Sequence, residues 1–161
     1  MVPRVPIGSH RAAYSGAMSD QKIPPSAYRL FETDRYATFV TVNPDGSPQV
    51  SLMWVSRDGD DLVFGVEDHR VKVRNLRADP RVTVMVEDEG NTPEGLRQHL
   101  VVRGTVTFEG PGIPDRFAAF MDRQARRYLG TDYPFDNRLS PTALIGRVRV
   151  RRVSGIGPWA G

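Results

Sequence analysis

The sequence predicts a mainly β chain, closed as a six-stranded antiparallel Greek-key barrel with few helices. Three observations carry this. β-branched and aromatic residues recur in short runs separated by turn signals such as "NPDGS" and "RDGDD". Valine alternates with arginine through Arg147, Val148, Arg149, Val150 and Arg151, the period of a strand with one apolar and one cationic face. Helical spacing is confined to three separate stretches.

Taken in order, "SAYRLFETD" after Pro24 and Pro25 spaces Tyr28, Leu30 and Phe31 as a short amphipathic helix that caps a barrel end. "RYATFVTVNPDGSPQVSLMWVSRDGDDLVFGV" reads as three consecutive strands whose two turns imply an antiparallel meander. Val71, Val73 and Leu76, with Arg74 and Arg77 between them, predict one short helix ending before Pro80. "RVTVMVED" is the fourth strand. "QHLVVRGTVTFE" is the fifth, and its Gly104 permits a bulge or tight bend. "GIPDRFAAFMDRQARRYLG" is the longest helix, apolar along Ile113, Phe117, Phe120 and Met121, with Gly130 as its stop. After the loop "TDYPFDNRLSP", "TALIGRVRVRRVSGI" is the last strand.

Composition bounds the function. A chain of 161 residues, 39% hydrophobic and 25% charged, suits one domain: residues 1–17 read as a flexible extension and 18–161 as the barrel, with Met18 an alternative start. No cysteine is present, which removes thiolate metal sites and thiol catalysis and agrees with a cytoplasmic location. The three histidines have no metal-site spacing, so no metal is expected, and neither His69 nor His99 is assigned a catalytic role. No apolar run reaches the roughly 20 residues of a membrane span, and the N-terminus lacks the apolar centre of a secretory signal. A net charge of +3 favours an anionic partner.

The stretch "HRVKVRNLRADPRV" concentrates that charge, with five Lys or Arg against one acid, while its valines and leucine keep a packing period. Basic residues beside the free amides at a helix start can bind phosphate, the apolar residues anchoring the helix; a merely solvated basic helix is the alternative.

The order of "ATFVTVNPDGSPQVSLMWV", "VKVRNLRADPRVTVMVED", "LVVRGTVTF", "RRYLGTDYPFD" and a terminal "SGIGPW" resembles the flavin-binding split barrels related to pyridoxamine 5'-phosphate oxidase, and among them the coenzyme F420-dependent branch. The resemblance spans about residues 28–159. It implies a split barrel, a homodimer with cofactor sites between subunits, and an oxidoreductase that passes a hydride from reduced F420 to an unsaturated organic substrate. FMN is the alternative cofactor, in an oxidase-like enzyme or flavin reductase. By resemblance, Arg70, Lys72 and Asn75 hold the phosphate end, Ser51 and the backbone at Met53 lie along the ring with Gln49 on the same strand face, and Val66 meets the phosphate-bearing chain. Trp159 is a candidate to cover a neighbouring subunit's ring pocket. The strand "QVSLMWV" and the ending "GPWAG" depart from the pattern of pyridoxamine phosphate oxidase itself, so that activity is not expected. The arginine surplus, through Arg70, Arg74 or the Arg147–Arg151 face, suits a polyglutamate tail better than a lone phosphate. A nucleic-acid partner is not expected, since aromatic content is 9% and no RNP-like, KH or helix-turn-helix motif is present.

Overall fold

The computed structural model describes residues 19–160; the extension expected over residues 1–17 lies outside the described residues. Seven strands form one antiparallel sheet: β1 (Ala37–Val42), β2 (Pro48–Met53), β3 (Ser56–Asp58), β4 (Asp61–Glu67), β5 (Arg81–Asn91), β6 (Arg97–Glu109) and β7 (Ala143–Ile156). Helix α1 (Val71–Ala78) follows β4 and helix α2 (Pro114–Leu129) joins β6 to β7. The sheet order is β2-β1-β5-β6-β7-β4-β3. Mainly β is thus the observed class, with seven strands where six were expected. The difference falls at Trp54 and Val55, which leave the ladder, so that the run read as one strand becomes β2 and the short β3.

That break rolls the sheet into a barrel. β2 and β3 are its opposite edges, yet only Trp54 and Val55 separate them in the chain. Three peptide steps reach about 11 Å at most, so the two edges meet at this corner. Away from it no ladder joins β2 to β3 or β4 among the described residues, and the barrel stays split.

Alternation sorts each strand. In β1, Ala37, Phe39 and Thr41 face inward, and their ladder partners Met53, Ser51 and Gln49 on β2 share that face. Phe39, Phe64, Leu62, Leu100, Val84 and Val148 fill the interior. The predicted capping helix is a 3-10 helix, Pro25–Phe31, whose Ala27, Leu30 and Phe31 plug the core. Arg29 clamps it to β5 through two 2.7 Å bonds to the carboxylate of buried Asp88. β4 is apolar on both faces because a second cluster lies outside the barrel, where Phe117, Phe120 and Met121 of α2 cover Val63, Ala143 and Ile145. α2 ends at Gly130, which takes the left-handed conformation at φ 75°. The bulge expected at Gly104 is present, as the β6–β7 register slips between Arg103 and Gly104.

Candidate functional site

A cleft opens where the end of β2, the end of β4, the start of α1, α2 and the loop after α2 converge. Two adjoining cavities of about 330 and 240 Å³ compose it, and Met53, Gly65, Met121 and Tyr133 line both. Gly65 leaves room for the side chains of α2, because a Cβ there would overlap Met121 Sδ and crowd Phe117.

One end is cationic. Arg70 precedes α1 and Lys72 lies in its first turn; both line the larger cavity. Lys72 Nζ rests 3.0 Å from Met53 Sδ, a weak acceptor that offers no countercharge. Burial, then the neighbouring Arg70 charge, hold the Lys72 ammonium below its usual 10.5. A half-buried cation beside a like charge, at the start of a helix whose first amides lack helical partners, is electrostatically suited to an anion.

The other end is apolar and aromatic. Leu52, Trp54 and Phe135 join Met121 and Tyr133 on the smaller cavity. Trp54 stacks on Tyr128 with centroids 5.0 Å apart and planes 6° apart. Arg127 fixes this corner, donating to Val55 O at 2.6 Å and Ser56 Oγ at 3.0 Å and also to Phe31 O, while the Tyr128 hydroxyl donates to Arg35 O at 2.6 Å. The "RRYLG" motif therefore holds the strand break that forms the cleft wall.

The loop carrying Tyr133 is tied down twice. Buried Asp122 of α2 accepts from the Tyr133 amide at 3.0 Å and pairs with Arg138, whose guanidinium holds its carboxyl below the usual range. The Tyr133 hydroxyl donates to Asn137 Oδ1 at 2.9 Å, and Asn137 Nδ2 donates to Glu67 Oε1 at 3.0 Å. Burial opposes the Glu67 charge, yet hydrogen bonds from Asn137, Ser140 and Thr142 outweigh it and keep the carboxylate ionised. Burial pushes the Tyr133 phenol up, despite its bond to Asn137, so it stays protonated at neutral pH. Glu67, Asp68 and His69 could bring ligand atoms within 4.8 Å of one another, but Glu67 is already committed to these hydrogen bonds.

Of the residues singled out from sequence, Met53, Val66, Arg70 and Lys72 meet on the cleft wall. Gln49, Ser51 and Asn75 lie behind it. Asn75 donates to Thr41 Oγ1 at 3.0 Å and Asn43 Oδ1 at 2.9 Å, and Thr41 donates to Gln49 Oε1 at 2.8 Å, a network that fastens α1 to the β1–β2 hairpin. Ser51 Oγ is buried on the inward face without a partner. Trp159 is placed apart, buried at the barrel end with its indole N–H on His99 O at 2.9 Å. Trp54, Glu67, Tyr133, Phe135 and Asn137 were not singled out as site residues. The quoted "DYPFD" was the available signal for the loop; nothing local marked Glu67.

The profile of the pyridoxamine 5'-phosphate oxidase family matches residues 23–157. The chain belongs to that family. A solved structure described as an F420 reductase is 33% identical, with a TM-score of 0.65, covering 82% of this chain and 98% of that one. The conserved hypothetical protein Rv2991 from Mycobacterium tuberculosis is 21% identical over 87% of each chain, TM-score 0.66. General Stress Protein 26 from Bacillus anthracis is 16% identical, TM-score 0.57, covering 80% of this chain and 88% of that one. The last two support the fold alone. No curated protein matches the chain. The family fits the cleft: its cationic end and its flat aromatic wall can together receive an elongated ligand with an anionic end and a planar ring. Among the described residues no helix is long and apolar enough to cross a membrane.

Proposed function

We propose that this chain is an oxidoreductase whose cleft holds coenzyme F420 and serves hydride transfer to an unsaturated organic substrate. The observation that carries the reading is Lys72, a half-buried ammonium with depressed basicity that faces a cavity beside Arg70, while the carboxylate lining that cavity, Glu67, is committed to Asn137, Ser140 and Thr142. The likeness to a structure described as an F420 reductase supports the choice of cofactor. Arg70 and Lys72 hold the phosphate end, and Met53, Trp54 and Tyr133 border the ring and substrate. When bound, the deazaflavin supplies the hydride. Reduction of a double bond also needs a proton, and Tyr133 is the hydroxyl on the wall held in its protonated form.

FMN is the second reading, favoured by the charge placement. The arginines expected to follow a polyglutamate tail on β7 are already paired: Arg147 with Asp58 and Asp61, Arg149 and Arg151 with Asp20. Arg70 and Arg74 remain for a tail, and a single phosphate needs no more than Arg70 and Lys72.

The site is completed in a homodimer. Val50, Leu52 and Met85 are 59%, 69% and 37% exposed on the outer face of β2-β1-β5, and register places Leu52 and Met85 on either side of Thr38. Leu52 also lines the cleft, so a second copy seated on this face would wall the open side.

Titration of F420 and FMN, followed by tryptophan quenching, tests the cofactor. Trp54 lines the cleft and Trp159 does not, so a Trp54→Phe variant identifies the reporter. Tighter binding of F420 than FMN, with the stronger salt dependence for F420, is expected. Protein purified yellow with FMN and silent to F420 would replace the first reading by the second.

A further inference from the structure

On the opposite side of α2 from the cationic end of the cleft lies another cavity, of about 480 Å³, bounded by α2, β3, β4 and β7. Gln124 is the one residue its lining shares with the cleft. Its floor is apolar, made by the buried side chains of Val63, Phe120 and Ile145. Its rim carries Arg57, Arg116, Arg123 and Arg147 against Asp58. Two of these cations are neutralised locally: Arg147 pairs with Asp58 and Asp61, and Arg116 with Glu109. Two are not. Arg123 has no carboxylate within ion-pair distance among the described residues, and Arg57 donates to the carbonyl of Gly59 and lies over the ring of Tyr28, 3.5 Å from its centroid.

Two polar atoms in this wall are buried without partners, the Arg57 Nε donor and the Oε1 acceptor of Gln124, a residue only 2% exposed. The other end of the Gln124 amide is held by Ser56 Oγ at 3.2 Å and Val63 O at 3.4 Å, so its orientation is fixed. Neither atom is open to the cavity, so contacts to a ligand fall to the guanidinium N–H groups of the rim. An apolar floor, two guanidinium groups without an ion pair among the described residues and a volume within the range of small-molecule sites describe the complement of one ligand class.

We propose that this cavity binds a small amphipathic organic carboxylate, its hydrocarbon on Val63, Phe120 and Ile145 and its carboxylate toward Arg123 and Arg57. The site stands apart from the cofactor cleft and does not depend on which cofactor that cleft holds.

Octanoate is the probe, with 1-octanol as its neutral counterpart and inorganic phosphate as an anion without hydrocarbon. The full chain, labelled with 13C at isoleucine δ1 methyls, is titrated with each, and Ile145 is the reporter. Octanoate is expected to shift the Ile145 methyl saturably, with the other two producing no saturable shift at equal concentration. Arg123→Gln, at an exposed position that leaves the floor intact, is expected to weaken octanoate about tenfold, the loss of one charge-assisted contact. Lys72→Ala should leave octanoate binding unchanged. The proposal is overturned by an unresponsive Ile145, by octanol or phosphate matching octanoate, by wild-type affinity in Arg123→Gln, or by loss of binding in Lys72→Ala, which would put the probe in the cleft. The F420 and FMN titrations fail or succeed separately from all of these.

Discussion

At Lys72 the physics of a single side chain ties binding to stability. Its ammonium is half buried and meets a thioether and a neighbouring cation, so the ligand-free fold carries a charge it would rather lose. A base whose folded pKa is lowered binds fewer protons folded than unfolded, so its contribution to stability improves as pH rises from the lowered value toward 10.5. Lys72→Met should therefore raise the Tm of the ligand-free protein, while Lys72→Ala weakens cofactor binding by about 1.5–3 kcal/mol, the range for hydrogen bonds to charged groups. A bound anion favours the charged form, so affinity should fall as pH climbs through the lowered pKa. Lys72→Arg should flatten that fall, because guanidinium does not titrate there. Calorimetric titration across pH for the parent and the arginine variant checks both statements; parallel profiles would remove Lys72 from the anion site.

Tyr133 makes a second residue-scale case. Its hydroxyl is held by Asn137, which is held by Glu67, so its ring and proton have a defined place on the cleft wall. Tyr133→Phe removes the proton and keeps the edge-to-face ring contacts with Trp54 and Phe135. Cofactor Kd should stay within about twofold while kcat drops about 100-fold, the lower range for a positioned acid. The solvent isotope effect on turnover should change with it. Unchanged kcat would leave proton delivery to water.

Among the elements, the β6–β7 ladder is where sequence and packing meet most tightly. Gly104 sits at the register slip, and a Cβ there would run into the carbonyl of Arg149 and the side chain of Val148. Its φ is ordinary, so the constraint is steric and comes from the neighbouring strand. Gly104→Ala should cost about 1–3 kcal/mol, as overpacking does, with unfolding by urea as the measurement. The cleft residues lie on other strands, so cofactor affinity in the folded fraction should be retained. α2 shows the complementary case. Its apolar stripe was legible from i, i+3, i+4 spacing, but the partner surface was not, because Val63 and Ile145 alternate with barrel-facing residues and their outward side becomes buried only when α2 lies on it.

For the molecule as a whole, the exposed Val50, Leu52 and Met85 on one sheet face predict self-association. Light scattering after size exclusion should give about 36 kDa, twice the 18.0 kDa chain. Val50→Glu with Leu52→Arg should yield a folded monomer with weakened cofactor binding, since the cleft loses its second wall. Monomeric parent protein that binds cofactor at full strength would show the cleft to be complete within one chain.

Much of this architecture was readable from local pattern. Period-two alternation gave the strands, Pro80 and Gly130 stopped the helices, Gly104 marked its bulge, and the basic stretch before Pro80 became a helix with Arg70 and Lys72 at its start. These are consequences of neighbours along the chain. Tertiary structure decided what depends on distance. It broke the run through Trp54 and Val55, because the two sheet edges must join there, and so added a seventh strand. It turned Asn75 from an expected phosphate ligand into a brace between α1 and the first hairpin, since its amide reaches Thr41 and Asn43. It drew Trp159 to the carbonyl of His99 and brought Tyr133 and Asn137 back across the fold to Glu67, contacts between residues 60 or more positions apart that no local period encodes.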